Sequence, residues 1–138
     1  MVKRGKGGII LMASGTAFYG NPFVANYAAT KAYNLVLGEG LWYELRQHGV
    51  DVLAYIPGPT NTPGLRKSQP KLKEGVAVGP IKLPAETAEA ALNALGKAPS
   101  AARDLRMTLQ IALTTRLFTR RKVIQLFGDR LSRLRRTR

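Results

Sequence analysis

Apolar and polar positions change rhythm several times along the chain. Residues 7–14 form a nearly unbroken apolar run flanked by glycines, the pattern of a short buried strand. The basic segment before it, residues 1–6, reads as a helix end and a turn, and residues 15–22 read as a loop. From Asn26 to about Gln47 the apolar residues Leu35, Val36, Trp42 and Leu45 predict one long helix. Gly38 and Gly40 inside it each cost about 1 kcal/mol relative to alanine, and close packing against a neighbouring helix would account for them. Gly49 suits the turn that ends this helix, and residues 50–56 read as a second buried strand. Strand, long helix and strand make a βαβ unit, which implies parallel strands and a right-handed crossover.

The pattern then loosens. Residues 57–84 carry Pro57, Pro59, Pro63, Pro70, Pro80 and Pro84 and read as a long irregular segment with one short helix near 64–73. Pro84 and Glu86 occupy favoured early positions of a helix expected to run to about Leu95 and to end at Gly96. Residues 103–138 read as one or two amphipathic helices. Leu105, Leu109, Leu113 and Leu117 recur every four residues, and Phe127, Leu131 and Leu134 continue an apolar face with arginines between.

Composition narrows the function classes. A length of 138 residues suits one small domain, and 45% hydrophobic residues allow a sizeable core. The absence of cysteine excludes disulfides and thiolate metal sites and fits a reducing, cytoplasmic setting. His48 is the single histidine, so histidine chemistry and zinc have little scope. No apolar run is long enough to span a membrane, and the run after the basic start is too short for a targeting peptide.

The net charge of +14 is uneven. Residues 103–138 hold 11 Lys/Arg against Asp104 and Asp129, a net of +9, and residues 1–102 carry +5. Two parts are therefore expected: 1–102 and a basic helical tail, 103–138. The tail is either a solvated helix face or a surface for an anionic partner, with peripheral membrane contact among the alternatives. Nucleic acid is not an expected partner, because Phe118 and Phe127 are the tail's only aromatics and no base-reading motif is present.

The candidate chemistry centres on Ser14, Tyr27 and Lys31. A tyrosine and a lysine four apart share one helix face. An ammonium beside a phenol favours the phenolate, and such a phenol can exchange a proton with a reacting oxygen. A serine hydroxyl nearby can hydrogen-bond the same oxygen. The parts suit oxidation of an alcohol or reduction of a carbonyl. The bland alternative is a surface helix beside a serine that ends a strand.

The apolar run ending at Ser14, Pro22 between serine and tyrosine, Tyr27-Ala28-Ala29-Thr30-Lys31, and Pro57-Gly58-Pro59-Thr60-Asn61-Thr62 after the second strand succeed one another in characteristic order. This arrangement resembles the short-chain dehydrogenase/reductase family over roughly residues 5–97. The resemblance implies an α/β fold, a partial Rossmann-type, doubly wound parallel sheet fragment with a C-terminal amphipathic helical tail. It implies a cofactor, NAD or NADP, and a small-molecule alcohol or carbonyl substrate, with a leaning toward a lipophilic one. Tyr27 would be the general acid/base, Ser14 would orient the substrate oxygen, and Lys31 would hold the nicotinamide ribose. Pro57, Gly58, Thr60 and Thr62 would lie against the nicotinamide end, Thr60 standing where an aliphatic residue is usual. A homo-oligomer formed through the tyrosine-bearing helix is also implied.

Some family features are missing. No TGxxxGxG turn comes after a strand, and the glycines at 5, 7 and 8 precede one, where they cannot cradle a pyrophosphate. The residue that selects NAD or NADP and the family's catalytic asparagine have no counterpart; Asn21 and Asn26 come after Ser14. The expectation is therefore a truncated, C-terminal portion of an enzyme, with weak cofactor binding by itself and an exposed strand edge. The alternative is a catalytically dead remnant acting as a binding or peripheral membrane module through its tail.

Overall fold

A computed structural model describes residues 1–68 and 80–136, with side chains described for 1–67 and 80–133. The strands are β1 (Gly7–Met12), β2 (Val50–Ile56) and β3 (Ser100–Ala102). The helices are α1 (Ala25–Arg46), α2 (Pro63–Ser68), α3 (Pro84–Ala94), α4 (Leu105–Leu117) and α5 (Arg120–Arg136). The short helix expected near 64–73 is met by α2; the remainder of that expectation lies outside the described residues, as does Pro70.

The sheet is parallel, in the order β1-β2-β3. Gly7 pairs with Val50 and Met12 with Tyr55, so the two strand ends lie side by side. The expected βαβ unit is thus present. β3 was not expected. Its three small residues lack an apolar run, and it exists because β2 offers an edge: Ala54 N–H donates to the Pro99 carbonyl (3.0 Å) and Arg103 N–H to the Ile56 carbonyl (3.0 Å). β1 is the other edge of this sheet.

β2 is the buried centre, and its side chains alternate between two faces. Ala54 and Ile56 join Ala13 and Leu35, with Phe18, Met107 and Ile111 packed against them. Leu53 and Tyr55 join Ala91 of α3, with Ile10 and Leu95. Helices therefore cover both faces. Each fully buried large aliphatic side chain contributes about 1.5–3 kcal/mol.

Gly38 explains how α1 seats itself. A β-carbon there would stand 2.9 Å from the Ala54 β-carbon and 3.2 Å from Leu11 Cδ1. The close approach is to the sheet and not, as expected, to a helix. Gly40 has nothing within 4 Å of a β-carbon, so no contact explains it. Val36 also departs from expectation: it is exposed with Tyr33 and Tyr43, while Leu35 points inward. Gly49 turns the chain from α1 into β2 at φ 67°, and a β-carbon there would run into the Gly5 carbonyl oxygen.

The tail forms two helices. Asp104 caps α4, accepting from Met107 N–H (2.8 Å) and from Arg103 Nε (2.8 Å). Met107 and Ile111 turn toward the core. The leucine row at 105, 109, 113 and 117 faces outward, each residue more than half exposed. α5 buries Val123 and stacks Phe127 on Tyr19 at 5.1 Å. No helix among the described residues is long and apolar enough to cross a membrane.

Candidate active site

The carboxyl ends of β1 and β2 fall at the same edge of the sheet, the place where open α/β sheets bind ligands. Ala13 N–H donates to the Tyr55 carbonyl (2.8 Å), so Ser14 comes after β1 where Pro57 comes after β2. Ser14 leaves the strand with extended backbone and opens a 3-10 turn, Gly15–Phe18, its Oγ accepting from Thr16 N–H (3.3 Å). Expected as a loop, this segment is partly helical because that serine cap starts a turn.

Asn21 shapes the bend that leads into α1. It is buried, and its Nδ2 donates to the carbonyls of Thr16 (3.0 Å) and Tyr19 (2.8 Å). Phe23 then takes φ 68°, a left-handed conformation that costs a bulky residue on the order of 1–3 kcal/mol. α1 begins two residues later.

Tyr27 lies in the first turn of α1 and is half exposed. Its hydroxyl has no hydrogen bond among the described residues. Lys31 Nζ sits 5.6 Å from the Tyr27 ring centroid and donates to the Met12 carbonyl oxygen at 2.8 Å. Asn34 Nδ2 donates to that oxygen as well, at 3.1 Å. The lysine therefore ties the tyrosine-bearing turn to the end of β1, two residues before Ser14. Of its three N–H donors one is used by Met12, leaving two to offer a ligand.

The Pro57–Thr62 segment is stitched to the chain before α3. Asn61 N–H donates to the Lys82 carbonyl (2.8 Å) and Lys82 N–H to the Pro59 carbonyl (3.1 Å). Gly58 takes φ 67°, with a β-carbon there meeting the Arg103 guanidinium at 3.0 Å. The hydroxyls of both threonines serve the fold. Thr60 Oγ1 lies 3.3 Å from the Gly58 carbonyl and 3.2 Å from the hydroxyl of buried Thr87, and Thr62 Oγ1 accepts from Leu65 N–H (3.2 Å).

Three neighbours went unread in the sequence: Asn34, Thr87 and Arg103. Asn34 lies one residue short of a full turn beyond Lys31, and that spacing was the available signal. Arg103 comes directly after the unforeseen β3; its side chain is 7% exposed, and Nη1 donates to the Pro80 carbonyl (2.8 Å). Burial pushes the nearby Tyr55 hydroxyl up; the Arg103 charge opposes this and Asp104 adds to it. Hydrogen bonds from Met107 N–H and Arg103 hold Asp104 below the usual carboxylate range. No cluster of metal-ligating side chains is present among the described residues. An open apolar groove of about 660 Å³ runs along Leu105, Leu109, Leu113 and Phe118, on the side of α4 away from Met107, whose methyl lies against Gly15.

A family model described as short chain dehydrogenase matches residues 1–73, slightly more than half of the chain. The chain belongs to the short chain dehydrogenase family. It is similar to a 7beta-hydroxysteroid dehydrogenase of Clostridium sardiniense, 37% identical over 75 residues, covering 54% of this chain and 29% of that protein. It is also similar to a 3-oxoacyl-[acyl-carrier-protein] reductase of Thermotoga maritima, 32% identical over 96 residues, covering 67% of this chain and 39% of that protein. Among solved structures, one of a 7beta-hydroxysteroid dehydrogenase superposes with TM-score 0.73 at 28% identity, over 91% of this chain and 47% of the other. A short chain dehydrogenase of Burkholderia cenocepacia in complex with NADP superposes with TM-score 0.62 at 26% identity, over 98% and 50%. This short chain dehydrogenase chain thus spans at most about half the length of these proteins.

Proposed function

We propose that the chain carries the proton-transfer half of an NAD(P)-dependent oxidoreductase that interconverts an alcohol and a carbonyl. The observation that carries this reading is Lys31 bridging the Tyr27 ring and the Met12 carbonyl, at the strand end that leads into Ser14. In reduction the Tyr27 hydroxyl gives its proton to the substrate oxygen; in oxidation the phenolate takes it back. The Ser14 proton is free to meet the substrate oxygen, because the cap contact from Thr16 uses only a lone pair.

The site fits a nicotinamide nucleotide. Two Lys31 donors remain for ribose hydroxyls, and Pro57 and Gly58 border the end of β2. Thr60 and Thr62 would act there through their backbone, their hydroxyls being engaged in the fold. A nicotinamide ring supplies or accepts the hydride. The pyrophosphate-cradling turn is not among these 138 residues, so cofactor affinity of the chain alone is expected to be weak. Similarity to proteins named as hydroxysteroid dehydrogenases and to an acyl-carrier-protein reductase supports a lipophilic carbonyl or alcohol as substrate.

The test joins this chain to the amino-terminal half of the Clostridium sardiniense relative and monitors NADH and NADPH oxidation with a ketone panel. Tyr27→Phe is expected to lower turnover by about 10²-fold or more, with cofactor binding retained. A joined protein that turns over and is indifferent to Tyr27→Phe would overturn the reading.

A further inference from the structure

α4 is apolar on two opposite sides, and the described residues pack against only one. Met107 and Ile111 are packed into the core. Leu105, Leu109, Leu113 and Leu117 form a second row about 18 Å long, at 1.5 Å per residue, continued by Phe118. These five residues are 52–73% exposed. Contiguous apolar surface of this kind marks an interaction site. The corresponding face of α5 is already occupied: Val123 is buried, Ile124 approaches Gly20, and Phe127 stacks on Tyr19.

The charges around the row select its occupant. Arg106 lines the groove, and Arg116, Arg120, Arg121 and Lys122 are exposed beside or just beyond its far end. Asp104, paired with Arg103, and Asp129 are the tail's only acids. A second copy docked through this row would bring two tails of net +9 together, and like-charge repulsion opposes that. A straight leucine row rimmed by arginines matches a helix lying in the plane of an anionic lipid surface, leucines in the acyl boundary and guanidiniums among the phosphates.

We propose that the outer face of α4 docks this chain on anionic membranes, with Leu105, Leu109, Leu113, Leu117 and Phe118 inserted and Arg106, Arg116, Arg121 and Lys122 at the headgroups. The proposal is independent of the oxidoreductase reading. The full chain is tested by co-sedimentation with phosphatidylcholine vesicles, with and without about one quarter phosphatidylglycerol. It is expected to pellet with the anionic vesicles and to be released by salt. Leu109→Glu with Leu113→Glu, and separately Arg106→Gln, Arg116→Gln and Arg121→Gln together, are each expected to weaken binding about tenfold or more. Because the chain has no cysteine, Leu113→Cys carrying a polarity-sensitive dye gives a second readout that adds no charge; its emission is expected to shift to the blue on anionic vesicles alone. Equal binding to neutral vesicles, no binding, or a dye that stays in water would overturn the proposal. So would sedimentation velocity showing a dimer that the leucine variant dissolves, since a second copy would then cover the row.

Discussion

Lys31 spans from α1 to the end of β1 and donates to the Met12 carbonyl at 2.8 Å. Asn34 donates to the same oxygen, so either donor alone keeps it satisfied. Lys31→Met and Asn34→Ala are each expected to cost under about 1 kcal/mol, and the double variant to cost more than their sum by about 0.5–1 kcal/mol. Urea denaturation of the four proteins completes the cycle; strict additivity would show that the two donors act independently.

Gly38 and Gly40 separate the effects of space and propensity on one helix. Gly38→Ala pushes a methyl against Ala54 and Leu11 and is expected to destabilise by about 1–3 kcal/mol before the helix gain is subtracted. Gly40→Ala meets nothing and is expected to stabilise by about 0.5–1 kcal/mol. Thermal melts of the two variants should move in opposite directions.

Tyr55 is 1% exposed, and its hydroxyl has no hydrogen-bond partner among the described residues. Removing an unsatisfied buried hydroxyl while keeping the ring is expected to leave stability unchanged or raise it by about 1 kcal/mol. A Tyr55→Phe chain that unfolds more readily in urea than the parent would contradict this.

Asp104 contributes stability with a definite pH sign. Its folded carboxyl is held low by Met107 N–H and Arg103, so the contribution is fully present above the ordinary carboxylate range. It is lost as pH falls through the depressed folded value. Asp104→Ala is expected to melt below the parent at neutral pH, and the gap is expected to close on acidification. A gap that is constant with pH would assign the effect to packing.

Phe127 stacks on Tyr19, Gly128 lies against Pro22, and Arg120 Nη1 donates to the Phe18 carbonyl at 3.3 Å. Burial raises the Tyr19 hydroxyl, with a hydrogen bond to Thr114 opposing it. Phe127→Ala is expected to speed hydrogen exchange about tenfold or more across residues 15–22 while β2 stays protected. Unchanged exchange in that loop would show that it is held by Asn21 alone.

β1, α1, β2 and α3 were legible because local signals agreed: apolar runs for the strands, Gly49 and Gly96 at the turns, Pro84 and Glu86 at a helix start. That Tyr27 and Lys31 share one face of α1 was legible from their four-residue spacing. β3 was not, because Ser100, Ala101 and Ala102 pair only when β2 is already there to receive them. The leucine row of α4 left its partner open for a related reason. Periodicity reveals that a face is apolar and does not say whether the body of the protein or something else covers it. Arg103 and Thr87 were invisible because their partners, Pro80 and Thr60, are distant in sequence and no spacing links the pairs.

The grip of α5 on the segment after Ser14 has a consequence for synthesis. Arg120 and Phe18 are separated by 102 positions, so the segment leaves the ribosome well before its clamp does. The nascent chain can pair β1 with β2 well before then. The bend between Ser14 and Tyr27 must wait, unlatched, until α5 has been made.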